Sequence, residues 1–422
     1  MQLLRQLLLL GLLALSLSCS ARQRSITQRE RAKKVAGEQA ALVVPPAKLP
    51  VSADGDARRG RDLVQRFECN RCHEATGFAS APVASNCFSC HEKILAGQFP
   101  VSATALARFR PHVASAREAP SLLAIGERFE ARWLTDYLLA PRDLRPHLLP
   151  TMPRLDLDAD QASDLAAYLT SSAGPGEASF VANGNAARGR DLMEKKACGA
   201  CHAFGGVPGW DSVQPSGGSD TERARALAPD LRFTRERFRR SRLVAWLLDP
   251  KSIKPDTRMP NFGLTVDEAA DIAAYIWQAT LAPEPHSAFV RLPPLTRPVS
   301  FEEVDRRVFS RTCHHCHTDA DAAGGDGGPG NTGGFGFAPR GVSFSSHASI
   351  LAGYLDERGQ RRSLFEPLAD GTPRLIAALL ARHDEANRAP RRDVRGMPLA
   401  LPPLAAEEIQ LVESWVAQGK PL

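Results

Sequence analysis

Several things are scarce or missing in this sequence, and each narrows what it can be. Beyond the first nineteen residues no segment is apolar enough to cross a bilayer, which argues against a multi-span membrane protein. No basic stripe with interleaved aromatics is present, and aromatics make up only 6% of the chain, so nucleic-acid binding has little support. A Gly-rich stretch from Gly324 to Gly336 is not followed by Gly-Lys-Ser/Thr, which excludes a phosphate cradle and suggests a long mobile loop. There is no long polar tract, so the chain reads as globular, with room for two to four domains. Methionine is rare as well. Of five, one is the initiator, Met193 falls in a helical stretch, and the other three, Met152, Met259 and Met397, all stand before proline.

The nine cysteines are present in a fixed pattern. Eight form pairs two residues apart, each followed by histidine: Cys69/Cys72/His73, Cys87/Cys90/His91, Cys198/Cys201/His202 and Cys313/Cys316/His317. Cys-x-x-Cys-His is an attachment signature for c-type haem. The two thiols add to the two vinyl groups, and the next residue presents its imidazole to the iron from the proximal side. Zinc would fit the spacing of the first two pairs, but zinc does not require histidine after each second cysteine, and the pairs at 198 and 313 have no neighbouring pair. Disulfides, plausible after export, and a thioredoxin-like redox pair also leave the repeated histidine unexplained. The expectation is four covalently bound haems. The formal charge of the apoprotein is +6. Each ferric haem adds about −1 from its iron and two propionates, so the loaded protein approaches neutrality.

The ninth cysteine, Cys19, closes a leader in which one arginine precedes a Leu-rich run, as in a secretory signal peptide. Leu15-Ser16-Leu17-Ser18-Cys19 resembles a bacterial lipoprotein cleavage site, which would make Cys19 the lipidated mature N-terminus. A plain cleaved signal or an uncleaved anchor are the alternatives. All three export the chain, which agrees with covalent haem attachment outside the bacterial cytoplasm.

Two stretches recur. Gly55–Leu63 and Gly184–Leu192 are near copies, and Gly60 and Gly189 each lie nine residues before the first cysteine of a motif. Downstream, Tyr137-Leu138-Leu139-Ala140-Pro141 with Met152-Pro153 repeats as Trp246-Leu247-Leu248-Asp249-Pro250 with Met259-Pro260. Sixteen residues separate the methionine from a tyrosine, Tyr168 or Tyr275, in both. A looser third copy runs from Gly396-Met397-Pro398 to a helix carrying Trp415. Thioether sulfur is a soft ligand suited to iron, and the proline stiffens its loop. Met152, Met259 and Met397 are therefore candidate iron ligands.

Helix, Cys-x-x-Cys-His, loop, Met-Pro and terminal helix together resemble the class I cytochrome c family over roughly 54–172, 184–281 and 300–420. The resemblance implies an all-α fold of three tandem cytochrome c-like domains, each a small helical bundle around covalent haem, the first enlarged to hold two. It pairs His73 with Met152, His202 with Met259 and His317 with Met397. It also places Gly60 and Gly189 at a helix crossing, facing Tyr168 and Tyr275. The reverse pairing, His91 with Met152, stays open. The haem left without methionine takes His112 as the leading candidate ligand, then His147, or keeps an open position. His314 and His315 read as passive spacers.

The expected organisation is a signal peptide at 1–18, a lipidated N-terminus and flexible tether at 19–53, and a dihaem domain at 54–172. A linker at 173–183, a monohaem domain at 184–281, a linker at 282–299 and a monohaem domain at 300–422 follow. The segment 341–395 is extra to a minimal domain, and Arg388–Arg395 reads as solvated surface. A haem ligated by both His and Met has no vacant position, which suits electron transfer. The expected role is a carrier, or the cytochrome subunit of a membrane-associated respiratory or dehydrogenase complex, held by its lipid on the periplasmic side. Redox proteins would be its partners: a dehydrogenase, a quinol-oxidising complex, an oxidase or another cytochrome. The contrasting expectation is a peroxidase-like haem enzyme acting at the His91 haem, with Glu92, Glu118 or His112 as acid/base.

Overall fold

The structure, a computed structural model, describes residues 55–83, 85–113, 118–148, 150–171, 184–210, 219–284, 289–314, 316–318, 328–387, 389–391 and 393–422. The leader, Cys19, the tether to residue 53, the linker 173–183, and His315 lie outside the described residues. The longer helices are α1 (Ala57–Arg66), α2 (Cys87–Ala96), α3 (Ala103–Val113), α4 (Ala131–Leu139), α5 (Ala159–Thr170), α6 (Ala186–Lys195), α7 (Arg240–Leu248) and α8 (Val266–Gln278). They are followed by α9 (Phe301–Val304), α10 (Arg374–Ala386) and α11 (Ala406–Ala417). The chain is mostly helical. A short hairpin, β1 (Tyr354–Leu355) against β2 (Arg361–Arg362), departs from the all-α expectation. It lies within the segment beyond a minimal domain. None of the described helices is long and apolar enough to cross a membrane.

The two repeated stretches fold alike. Asp56 caps α1 by accepting from the backbone of Arg58 and Arg59, and Asn185 caps α6 by accepting from Arg188. Each short helix then crosses a terminal helix that opens on a capping box, Asp158 with Gln161 for α5 and Thr265 with Glu268 for α8. A Cβ at Gly60 would lie 2.0 Å from the Asp164 carbonyl oxygen, and one at Gly189 equally close to the Asp271 carbonyl oxygen. Only glycine lets the backbones approach this closely. Gly60 meets Tyr168 as well, whereas Gly189 rests on Asp271 and Ile272, one turn before Tyr275. A buried carboxylate locks each crossing: Asp164 accepts from Arg59 and the Asp56 amide, Asp271 from Arg188 and the Asn185 amide. Gly60→Ala and Gly189→Ala are each expected to destabilise by about 1–3 kcal/mol, the usual cost of overpacking. Urea denaturation checks this, and an unshifted midpoint would contradict the crossing.

The modules are not separate beads. One apolar core runs from Val64 through Trp133, Leu165, Met193 and Phe238 to Ala279, so the first two modules share it. They meet in a near-symmetric exchange at Phe129 and Phe238. Arg239 N donates to Arg128 O at 2.7 Å and Glu130 N to Arg237 O at 3.3 Å, with the two phenyl rings 5.8 Å apart. A second core, Val299 to Trp415, belongs to the third module. Here α9 continues into a π-helical stretch, Asp305–Cys313, that carries the chain to the fourth motif.

Three expectations about connecting segments change. The linker expected at 282–299 is, from Phe289 on, part of the third module. Val299 is fully buried, and Leu295 N donates to Ser414 Oγ at 2.8 Å. The Gly-rich stretch docks from Gly328 onward rather than hanging free: Phe335 is buried in the first module's core and its amide donates to Glu68 at 2.9 Å. Gly324–Gly327 lies outside the described residues. Within Arg388–Arg395, Arg391 and Arg395 are not simply solvated. Arg395 stacks on Phe337 and donates to the Arg154 carbonyl, and Arg391 O accepts from Arg154 at 3.1 Å. Arg388 and Arg392 lie outside the described residues.

Candidate functional site

An attachment motif needs two thiols and an imidazole presented on one side of a turn. At Cys69 and Cys198 the chain leaves its helix through a residue in the left-handed region, Glu68 (φ 50°) and Ala197 (φ 54°), and closes one 3-10 turn. The His73 amide then donates to Cys69 O at 2.9 Å, and the His202 amide to Cys198 O at 3.0 Å. The His317 amide donates to Cys313 O at 3.0 Å in the same way. The second motif differs. Cys87 opens α2, Asn86 caps it by accepting from Ser89 at 2.8 Å, and His91 sits buried within the helix. Cys72 and Cys87 sulfurs lie 3.8 Å apart, so the first two motifs adjoin. Among the described residues no group of three or more His, Cys, Asp and Glu side chains is arranged to hold a metal ion by itself.

The imidazoles of His73 and His202 are oriented identically. Nδ1 of His73 lies 2.8 Å from Pro120 O, and Nδ1 of His202 lies 2.8 Å from Pro229 O. A carbonyl only accepts, so Nδ1 carries the proton and Nε2 keeps the lone pair a metal requires. Burial lowers the pKa of both rings against the opposing pull of these carbonyls, which keeps them neutral. Burial brings His317 down to about 4. Burial also pushes Cys69 up to about 12 and Cys198 and Cys90 to about 11. These apolar surroundings disfavour a thiolate and suit an uncharged thioether.

A cavity of about 510 Å³ collects much of the predicted set. His73, His91, His202, Met152 and Met259 line it, with Cys69, Cys72, Cys87, Cys201 and Cys316. Both candidate proximal histidines of the first module face the space that Met152 faces, so either pairing is compatible with the geometry. Cys90, Cys198, Cys313, His317 and Met397 are not among its lining residues. Cys313 and Met397 pack instead against the third module's core. The side chain of His112 lies outside the described residues, although its backbone is in α3. His147 is not among the lining residues, and its Nε2 is buried without a hydrogen-bond partner among the described residues. His314 binds the Phe344 carbonyl at 2.7 Å.

The cavity's polar groups fit a porphyrin with two carboxylates. Arg128, Arg145 and Arg237 line it, as do Lys254 and Asp256, which pair with each other. Burial lowers Arg237 to about 9 and Arg128 to about 10, with the neighbouring cations adding to the effect. Nε of Arg237 and Nε1 of Trp133 are buried donors without a hydrogen-bond partner among the described residues. Buried cations and orphaned donors are costly unless an anion meets them. A haem's propionates would supply one, while its apolar face would pack on Leu134, Leu138 and Phe238. Glu118, proposed as an acid/base, is already engaged by Arg223 and by Arg258 at 3.6 Å.

Sequence reading missed these residues, although a signal was there. Ala119-Pro120-x-Leu122 and Glu127-Arg128-Phe129 recur as Ala228-Pro229-x-Leu231 and Glu236-Arg237-Phe238, at the offset of the Tyr137 and Trp246 copies. Extending the repeat backwards would have found both prolines and both arginines. Trp246 was part of the noted repeat but without a role. Its indole N–H donates to Met259 Sδ at 3.1 Å. With Met259 on iron, that bond withdraws donor strength from the sulfur and favours the ferrous state. Trp246→Phe removes a bond worth about 1 kcal/mol. The potential of that haem is expected to fall, by at most about 40 mV for a one-electron couple, the full bond energy expressed in one redox state. A redox titration that returns an unchanged or higher value refutes the assignment.

Residues 186–280 match the family described as cytochrome c. This is the second module, from α6 to the end of α8, and it holds Cys198, Cys201, His202 and Met259. A cytochrome c domain binds haem c covalently and serves electron transfer. The match covers a minority of the chain. No curated protein and no solved structure matches the chain.

Proposed function

We propose, from the cytochrome c domain at residues 186–280, that the whole chain is an exported tetrahaem c-type cytochrome that transfers electrons. Three tandem modules would carry the haems at Cys69/Cys72, Cys87/Cys90, Cys198/Cys201 and Cys313/Cys316. The protein works as a carrier or as the cytochrome subunit of a membrane-associated respiratory or dehydrogenase complex. It is held on the periplasmic side of a bacterial membrane through lipid on Cys19. The observation that carries the reading is the repeated imidazole geometry. His73 and His202 each follow a Cys-x-x-Cys turn, each gives Nδ1–H to a proline carbonyl, and each faces a methionine-lined cavity. The first module, outside the matched region, reproduces the second in each of these features.

His and Met together saturate an iron, so charge changes with little rearrangement, which suits a carrier and leaves no place for substrate. Of the three acid/base candidates of the peroxidase-like reading, Glu118 is already engaged by Arg223 and Arg258, which argues against it in that role. Mass spectrometry of the exported protein, with reduced spectra before and after carbon monoxide, tests the reading. Four covalent haems with no change at the His/Met-ligated centres are expected. A colourless protein carrying zinc or cystines at the four motifs would refute it.

A further inference from the structure

The first and third modules are fastened together at their methionine loops. Thr151 N, beside Met152, donates to Ala400 O at 3.0 Å. The residue after Pro398, Leu399, packs against the first module's core. Behind both loops stands Glu385, near the end of α10 and only 8% exposed. Its Oε1 accepts from Gly396 N at 2.9 Å, one residue before Met397. The same oxygen is 3.1 Å from Nε of Arg154, two residues after Met152. Arg382, also buried, reaches the same two loops, with Nη2 3.2 Å from Thr151 Oγ1 and Nε 2.9 Å from Leu401 O. At Gly396 an added Cβ would lie 2.6 Å from the Glu385 carboxylate and 2.7 Å from the Arg382 backbone, so the loop is pressed against α10.

We infer that Glu385 is a positioning residue for two haem ligands at once. A single buried carboxylate ties the Met152 loop, through Arg154, to the Met397 loop, through Gly396, beside the Arg382 contacts and the bond from Met397 N to Ala378 O at 2.9 Å. A buried carboxylate left with one partner is costly, so neither loop can move without disturbing the other. The fixed geometry matters because a carrier works best when its ligands hold still as the iron changes charge. A ligand residue is only as well placed as the groups behind it. The inference rests on the proposal that Met152 and Met397 ligate iron, while Met259 belongs to a site that Glu385 does not touch.

The test uses the full-length, haem-loaded, reduced protein and reads the ring-current-shifted methyl signals of iron-bound methionines by proton NMR. Met152→Ala, Met259→Ala and Met397→Ala each assign one signal. Glu385→Ala is expected to shift or broaden the Met152 and Met397 signals together and leave Met259 in place. Glu385→Gln keeps an oxygen for the Gly396 amide but loses the charge that holds Arg154, so it should perturb Met152 far more than Met397. Arg154→Gln should reproduce that one-sided effect. If Glu385→Ala moves neither signal, or moves all three alike, the inference is wrong although ligation stands. If Met152→Ala and Met397→Ala remove no signal, the underlying ligation is wrong instead.

Discussion

Replacing both Cys198 and Cys201 by serine is expected to yield a protein with one covalent haem fewer and a second module that no longer holds together. The haem is core as well as cofactor. The shared cavity is walled by side chains of both repeated modules, including Leu138 from the first and Phe238 from the second. Without that porphyrin, Arg237 of the second module keeps a buried Nε donor with nothing to meet. Such a group costs about 1–3 kcal/mol, on a domain whose whole stability is about 5–15 kcal/mol. Because α6 and α8 share a core with α1 and α5, the damage is expected to reach the first module too. Haem-stained gels and intact mass give the haem count, and thermal unfolding gives the stability. An unchanged haem count would end the thioether assignment, and an unchanged melting profile would contradict the shared core.

Met259→Ala is the second large effect. With His202 and Met259 as the proposed ligand pair, removal of the thioether would leave an iron held by His202 with the cavity open opposite it. Carbon monoxide is then expected to bind the reduced variant at that one haem. The potential should also fall, by on the order of 0.1 V within the roughly 0.8 V that axial ligands command. His202 stays oriented, because its Nδ1 contact with Pro229 does not pass through Met259. The expected loss is therefore confined to ligation and potential, with attachment intact. A variant whose spectrum ignores carbon monoxide and whose potential is unshifted would show that Met259 is not on the iron. The comparison with Trp246→Phe separates the sulfur itself from the indole bond that tunes it.

The attachment chemistry expected at the four motifs rests on a local pattern. Thioether attachment fixes the iron next to the two sulfurs, so the ligating histidine must follow at once in the chain, and the pattern is complete within five residues. Helix starts were equally local: Asp56, Asn185, Asp158 and Thr265 cap within three residues of themselves. The Met-Pro pairs stood out because methionine is so rare here. The repeat showed that the first two modules should fold alike, and they do, down to glycines in contact with a carbonyl.

Only the tertiary structure decided what lies behind those groups. Pro120 is 47 residues from His73 and Pro229 is 27 from His202, an inequality that hides one shared geometry. Arg382 reaches Thr151 across 231 residues, and Glu385 joins two loops that belong to different modules. The sequence by itself pointed to residues for the chemistry and for the helix caps, since covalent and capping contacts must be near in the chain. Folding decided which distant groups orient them, which modules share a core and that Phe335 closes the first module's wall. Such contacts depend on how helices cross, and a crossing leaves no spacing in the sequence beyond the glycines that permit it.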